Sequence, residues 1–194
     1  MARVRLAVVQ DAAATIEILK QYIETPITLE YEVPCIADKE TQILAISHDY
    51  PFIVIEDESG VIGYAFAHRN LEQPGLSWNA ELRAFISLSK RGHGYGFIAM
   101  EVLFDILKLQ NIRNVYSNVT EGNPRSVSLH RKLGFNECGV LHKTGFKNGR
   151  WLDVNLLEKC ICDNADTEPK PFIPLSAVDK AAIQAILDKY NAKL

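Results

Sequence analysis

The sequence predicts a single α/β domain built in three layers, with helices on both faces of a mixed sheet. Two patterns support this fold class. Short segments alternate polar and apolar residues, as strands do, and longer segments repeat apolar residues every three or four positions, as helices do. The two kinds of segment are interleaved along the chain, which is typical of a mixed α/β fold. The 194 residues suffice for one domain with a buried core.

The first part of the chain predicts three strands and two helices. Residues 3–8 alternate as a strand, and Asp11 can cap a helix that runs to residue 22. A second helix is expected over residues 38–48. A hairpin of two apolar strands follows and turns at residues 58–60.

Residues 79–88 form the most informative predicted strand. One face of this strand is apolar, with Ala80, Leu82, Ala84 and Ile86. The opposite face carries the side chains suited to chemistry, namely Glu81, Arg83, Phe85 and Ser87.

Three strands and two helices are predicted after this central strand. Gly134 should end the second of these helices, and Asn148-Gly149 is typical of a two-residue hairpin turn. The predicted elements are helix 97–108, strand 114–119, helix 124–132 and a closing hairpin of residues 138–146 and 150–158.

The C-terminal part predicts a linker and a last helix. Residues 163–175 are polar and contain several prolines, so we expect them to link a domain of residues 1–162 to a helical segment of residues 176–194. Ser176 and Asp179 have the spacing of a capping box. Apolar residues recur at helical spacing in this helix, which should dock either on its own domain or on a partner subunit.

Composition and charge exclude several classes of function. The formal net charge is −3, without a block of like charges, which argues against nucleic acid or an anionic membrane as the partner. No segment reaches the roughly 18 apolar residues of a spanning helix, and the N-terminus does not resemble a signal peptide. The spacing of the four cysteines fits neither a metal site nor a redox motif. We therefore expect free thiols in a reducing cytoplasm and no bound metal.

A glycine-rich loop, Arg91-Gly92-His93-Gly94-Tyr95-Gly96, lies between the central strand and the next helix. Glycines at this position let successive N–H groups point at one anion near the positive end of the helix, and a diphosphate is the natural ligand. Arg91 adds a charge-assisted contact or fixes the loop. The spacing fits neither the dinucleotide fingerprint nor a Walker loop. A glycine-rich turn without a ligand is the alternative.

The glycine loop and several other segments resemble the GNAT superfamily of N-acetyltransferases, in particular its phosphinothricin and methionine-sulfoximine branch. The most specific segment is GFKNGRWLD at residues 145–153. The others are YIET at 22–25, Ala80-Glu81, NPRS at 123–126 and LGF at 133–135. The resemblance implies a mostly antiparallel seven-stranded sheet splayed between strands 4 and 5, with acetyl-CoA in the gap, and it implies a homodimer.

The resemblance also implies roles for individual residues. Glu81 would be the catalytic base, and His130 would act as acid or base where many members have a tyrosine. Backbone groups near Phe85 and Ile86 would pair with the pantetheine arm and stabilise the oxyanion. The remaining cofactor contacts would be Arg91, Gly92, Gly94, Tyr95 and Gly96 at the diphosphate, with Asn123 and Ser126 near the thioester.

The expected reaction is direct attack by a primary amine on the thioester in a ternary complex, because no cysteine is placed to form an acyl-enzyme. The substrate would be a small amino-acid analogue of the phosphinothricin or methionine-sulfoximine type. Glu30, Arg83 and Phe85 would line its pocket, and Arg83 could equally pair with Glu81 or Glu30. The alternatives are a polyamine, aminoglycoside or protein N-terminus as acceptor, or a non-catalytic acyl-CoA sensor.

Overall fold

A computed structural model describes residues 1–162 and 168–194. Its centre is a seven-stranded sheet in the order β1-β2-β3-β4-β5-β7-β6. The strands are β1 (Arg3–Leu6), β2 (Phe52–Asp57), β3 (Gly60–Arg69), β4 (Asn79–Ile86), β5 (Asn114–Thr120), β6 (Asn136–Lys147) and β7 (Arg150–Cys160). The helices are α1 (Ala12–Ile23), α2 (Ile36–Asp49), α3 (Tyr95–Leu109), α4 (Pro124–Lys132) and α5 (Lys180–Asn191). Within these described residues, no helix is long and apolar enough to cross a membrane.

The helices cover both faces of the sheet, as the sequence predicts. On one face, α1 and α2 pack against an aromatic layer formed by Phe52, Tyr64 and Phe66. On the other face, α3, α4 and α5 pack against small and aliphatic residues such as Ala65, Ala80 and Leu82. The three-layer α/β architecture is therefore confirmed.

The sheet splays between β4 and β5, its only parallel pair among the described strands. Their pairing covers three residues of each strand and ends at Glu81 and Tyr116. Beyond that point the C-terminal half of β4 has no strand partner on this side. An open strand edge at the centre of a sheet gives room for a ligand.

The last helix packs on its own domain. Ile183, Leu187 and Tyr190 are buried in the core beneath the sheet. Asn191 bonds β1 twice, since its Oδ1 accepts from the Val4 N–H at 2.6 Å and its Nδ2 donates to the Val4 carbonyl at 3.1 Å. Of the two expected docking modes, the structure therefore has the intramolecular one.

Two predicted helix caps are wrong. Ser176 lies in a short 3-10 turn, and Asp179 itself caps α5 by accepting from the Ala181 N–H at 2.9 Å. Asp11 precedes α1 but does not cap it. Its carboxylate instead accepts from the Val8 N–H at 2.8 Å and from Arg5, so both of its oxygens already have partners outside α1.

The part of the predicted linker that the structure describes is held against the domain. The carbonyls of Lys170 and Ile173 accept hydrogen bonds from Trp78 Nε1 at 2.7 Å and Gln110 Nε2 at 2.9 Å, and Phe172 stacks on Tyr50. Residues 163–167 of the predicted linker lie outside the described residues. The segment leading into α5 is thus anchored by backbone and aromatic contacts.

Candidate active site

A cavity of about 260 Å³ opens at the splay between β4 and β5, and we call it the reaction cavity. Most of its walls come from β4, β5, α4 and the loop after α1, and Met100 of α3 and Val154 of β7 complete them. Its polar lining includes Thr28, Glu30, Glu81, Arg83, Asn118, Asn123, Ser126 and His130. The structure therefore brings both expected catalytic residues into one cavity.

Glu81 is buried to 8% exposure and has polar partners on both oxygens. Oε1 accepts from Arg83 Nε at 3.2 Å and lies 3.6 Å from His68 Nε2, and Oε2 accepts from Asn118 Nδ2 at 3.1 Å. Burial alone would raise the pKa of the Glu81 carboxyl, but His68 and Arg83 outweigh it and hold the pKa below its usual range. Glu81 is therefore a buried carboxylate that stays ionised at neutral pH.

Two partners of Glu81, His68 and Asn118, were not among the site residues predicted from the sequence. His68 lies directly opposite Glu81 in the β3–β4 register. Asn118 lies on β5 two residues after Tyr116, the parallel partner of Glu81. The signal that could have found His68 is the alternation of β3, which places Tyr64, Phe66 and His68 on one face.

His130 lies near the end of α4 and is 6% exposed. Its Nδ1 lies 2.8 Å from the Ser126 carbonyl, which can only accept, so Nδ1 carries the proton. Burial lowers the pKa of His130, and the bond to Ser126 offsets this only in part. Nε2 is buried and has no partner among the described residues. The residue is thus a neutral imidazole whose Nε2 lone pair accepts no hydrogen bond from the described residues.

The ring of His130 is fixed by its neighbours. It packs edge-on against Phe135, with the ring centroids 4.8 Å apart. Asn123 caps α4 by accepting from the Ser126 N–H at 3.3 Å, which places the Ser126 Oγ 3.3 Å from His130 Nδ1. Asn123 and Ser126 therefore both line the cavity and orient the imidazole, a function that the sequence did not predict.

The glycine loop has the backbone conformation that its sequence predicts. Gly92 and Gly94 adopt φ values of 85° and 84°, which disfavour other residues, and Gly94 is the N-cap of α3. Gly96 packs closely on α4, since a Cβ there would lie 3.3 Å from Leu129. The first N–H groups of α3, from Tyr95 onward, have no partner within the helix. The loop therefore offers amide donors at a positive helix end.

Arg91 fixes the loop to α1. Its guanidinium lies 4.8 Å from the ring centroid of Tyr22, and its Nε donates to the Tyr22 hydroxyl at 3.2 Å. The same hydroxyl donates to the Ile86 carbonyl at the end of β4. Of the two roles expected for Arg91, the structure supports loop fixation.

The open edge of β4 presents Ile86 rather than Phe85. Ser87 donates its N–H to the Ile62 carbonyl of β3 at 2.8 Å. Because backbone groups alternate between the two edges of a strand, Phe85 also faces β3, whereas Ile86 faces the splay. The sequence-based expectation was that backbone groups near both Phe85 and Ile86 would be free to pair with a ligand. In the structure, only those of Ile86 face the splay. The side chain of Phe85 remains in the cavity wall and packs on Tyr22 and Tyr64.

Arg83 links the two acidic residues of the cavity. Its Nη1 lies 3.7 Å from Glu30, and its Nε binds Glu81. Both alternative pairings expected for Arg83 are therefore present together. Arg83 is about half exposed, so an incoming carboxylate can exchange with Glu30 at little cost.

Lys147 of the GFKNGRWLD segment anchors the loop that carries Glu30. Its ammonium is buried and donates to the carbonyls of Thr28 at 2.6 Å and Glu30 at 2.7 Å. Gly145 makes room for the same loop, because a Cβ there would lie 2.8 Å from Leu29. The segment therefore shapes the side of the reaction cavity that residues 28–30 form. Among the described residues, no cluster of three or more side chains could hold a metal ion.

Comparison with known proteins identifies the family. Residues 4–156 match the family model described as an acetyltransferase (GNAT) domain. The match covers most of the 194 residues, so this chain belongs to the GNAT acetyltransferase family. The family predicted from the glycine loop and its companion segments is confirmed.

Two curated relatives of this chain carry names that are more specific than the family description. The phosphinothricin N-acetyltransferase of Streptomyces viridochromogenes is 27% identical over 177 residues, which is 90% of this chain and 95% of the relative. The L-methionine sulfoximine/L-methionine sulfone acetyltransferase of Pseudomonas aeruginosa is 31% identical over 110 residues, 56% of this chain and 64% of the relative.

A solved structure of a phosphinothricin acetyltransferase is also similar to this chain. The phosphinothricin acetyltransferase of Sinorhizobium meliloti, crystallised with acetyl-CoA, superposes with a TM-score of 0.84 at 29% identity, and the match covers 91% of this chain and 97% of that one. The chain is thus an acetyltransferase related to the phosphinothricin-type enzymes.

Proposed function

We propose that this protein transfers the acetyl group of acetyl-CoA to the primary amine of a small amino-acid-like substrate of the phosphinothricin or methionine-sulfoximine type. One observation carries the proposal: an ionised Glu81 and a neutral His130 with an unpartnered Nε2 line the same cavity at the splay. A negative charge can bind an ammonium and a neutral base can accept its proton, and both favour the acylation of an amine.

The chain has suitable groups for acetyl-CoA. The Ile86 N–H on the open edge of β4 suits a pantetheine amide, and the amides of Gly92, Gly94, Tyr95 and Gly96 suit a diphosphate. When bound, acetyl-CoA supplies an acetyl group activated as a thioester. Asn123 and Ser126 line the cavity near the proposed reacting end.

In the proposed mechanism Glu81 binds the substrate ammonium and His130 receives its proton. Both oxygens of Glu81 already accept hydrogen bonds, which makes a carboxylate a good ion partner but a weak base. His130 has its proton on Nδ1 and presents the Nε2 lone pair, so it accepts a proton before it can donate one. This reassigns the base predicted at Glu81, which acts mainly through charge.

Direct attack by the amine is supported by the lining of the cavity. None of the four cysteines lines the reaction cavity, so no thiol is placed to carry the acetyl group. Direct transfer requires both substrates to be bound together, and the proposed mechanism therefore proceeds through a ternary complex. The half-exposed Arg83 in the wall disfavours polycationic acceptors.

A thiol-release assay with acetyl-CoA tests the proposed function, using wild type and the Glu81→Gln variant on phosphinothricin, methionine sulfoximine, spermidine and kanamycin. We expect turnover on one of the two amino-acid analogues. The variant should lose kcat/KM for the amine by roughly 10- to 100-fold, because it keeps the shape of Glu81 but loses the charge that binds the ammonium, an interaction of about 1.5–3 kcal/mol. If only spermidine or kanamycin is acetylated, the proposed substrate class is wrong. Equal acetylation by wild type and variant would remove Glu81 from the mechanism.

We also propose a homodimer in a reducing cytoplasm. An exposed aromatic cluster of Tyr31, Phe146 and Trp151 supports a partner surface. The hydroxyl of Tyr31 donates to the Phe146 carbonyl, which joins Tyr31 to the other two residues of the cluster. None of the four cysteines forms a disulfide, which suits a reducing compartment.

A further inference from the structure

A second cavity of about 510 Å³ adjoins the reaction cavity, and we call it the distal cavity. The two cavities share Glu30, Arg83 and Phe85. From these residues the distal cavity extends to α2 and to the aromatic surface of Tyr64 and Phe66. A substrate whose amine lies at Glu81 can therefore reach past Arg83 into the distal cavity.

Lys39 is the buried charged group of this cavity. It lies on α2 with only 4% of its surface exposed. Its ammonium donates to Gln42 Oε1 at 2.8 Å and lies 5.2 Å from the ring centroid of Tyr64. No carboxylate among the described residues lies within 4.0 Å of it. A buried ammonium without a counter-ion is costly, and the mechanism proposed above does not use it.

The charges around Lys39 favour binding of an anionic ligand. Burial lowers the pKa of Lys39, the positive charge of Arg83 lowers it further, and Glu30 acts in the opposite direction. Glu30 is itself paired with Arg83. The two other acidic residues in the wall, Glu32 and Asp38, are exposed to solvent. The buried part of the cavity is therefore cationic and its acidic residues face water.

We infer that the distal cavity binds an anionic group at the far end of the substrate side chain and that Lys39 is its counter-ion. This inference rests on the proposed function and names the substrate class more closely: an amino acid with a second oxyanion, such as a carboxylate or a phosphinate. Arg83, between the two cavities, is placed for the α-carboxylate. The aromatic surface of Tyr64 and Phe66 packs on the methylene groups between the two anions.

A matched pair of substrates isolates the charge. Phosphinothricin carries a methylphosphinate where methionine sulfone carries a methylsulfone. The two groups have nearly the same shape, but only the phosphinate is anionic. The ratio of kcat/KM for phosphinothricin to kcat/KM for methionine sulfone therefore reports the preference for a distal negative charge.

The test measures this ratio in wild type, Lys39→Met and Lys20→Met. Methionine keeps the buried length of Lys39 without its charge, and Lys20 is an exposed lysine of α1 that lines neither cavity. We expect wild type to prefer phosphinothricin. Lys39→Met should reduce the ratio on the order of ten- to hundredfold, mainly through KM, the effect of one hydrogen bond to a charged group. Lys20→Met should leave the ratio unchanged.

Folding is checked by thermal unfolding, and Lys39→Gln provides a second neutral variant if Lys39→Met is unstable. Removing an unpaired buried charge should not lower the melting temperature. Two outcomes overturn the inference. If both substrates react and the ratio is the same in wild type and Lys39 variants, Lys39 is not the counter-ion, although the proposed function stands. If wild type acetylates neither compound, the proposed substrate class fails and the inference fails with it.

Discussion

The glycine-loop end and the amine end of the site are built in different ways. At the glycine loop the proposed ligand contacts are backbone N–H groups of Gly92, Gly94, Tyr95 and Gly96, all within one six-residue segment, and of Ile86. At the amine end the groups are side chains from distant segments: Lys39 on α2, His68 on β3, Glu81 and Arg83 on β4, Asn118 on β5 and His130 on α4. A site made of consecutive backbone groups is visible as a motif, whereas one made of distant side chains depends on register.

The largest expected effect at the amine end comes from His130→Phe. Phenylalanine has a similar shape and packs against Phe135 but offers no lone pair at the position of Nε2. Since general-base catalysis contributes about 10²–10⁴-fold, we expect kcat to fall by that factor while the KM for acetyl-CoA is unchanged. His48→Phe, at an exposed histidine, is the control for steady-state kinetics. A kcat near the wild-type value would exclude His130 as the proton acceptor.

A medium effect is expected from Gly94→Ala at the glycine-loop end. Gly60→Ala, at the start of β3, is its matched control. Both glycines have positive φ, 84° and 106°, and neither has an atom within 4 Å of an added Cβ. The strain is therefore similar, about 1–2 kcal/mol in unfolding free energy.

Only Gly94→Ala should also raise the KM for acetyl-CoA, on the order of tenfold, because it reorients amides at the N-terminus of α3. Steady-state kinetics together with urea unfolding separate the two effects. Equal KM values for acetyl-CoA in both variants would mean that the loop does not bind the cofactor.

The smallest effect is expected from Lys147→Met, which acts on the amine side through the loop that carries Glu30. Two carbonyls, of Thr28 and Glu30, lose their donor. We expect a loss of about 1–3 kcal/mol in unfolding free energy and a higher KM for the amine, with the KM for acetyl-CoA unchanged. Lys20→Met is the control for thermal unfolding and kinetics. A change confined to the acetyl-CoA KM would contradict the division of the site into two ends.

The sequence predicted much of the fold because alternation and helical spacing are local signals. Every helix and strand was expected, and most bounds differ by one or two residues. The Asn148-Gly149 turn has φ values of 51° and 76°, as its sequence requires. The cap predicted at Asp11 is wrong because its carboxylate binds the Val8 N–H and Arg5 instead. The cap predicted at Ser176 lies three residues later, at Asp179.

The candidate site was predicted in part. Glu81, Arg83 and Phe85 share a face of β4, so alternation placed them together, and the structure confirms that placement. His68 and Asn118 were missed because their contacts with Glu81 depend on the pairing register of β3 and β5. Lys39 was missed because burial of a lysine on a polar helix is a tertiary property, which the spacing of residues 36–49 does not reveal.

The most direct test of the central claim is the acetylation of phosphinothricin by the wild-type protein, followed by thiol release and by mass spectrometry of the product. The account predicts stoichiometric release of CoA thiol and an amino acid heavier by one acetyl group on its amine. Binding of acetyl-CoA without any acetylated amine across the panel would contradict the account, because Glu81 and His130 would then line a cavity that performs no transfer.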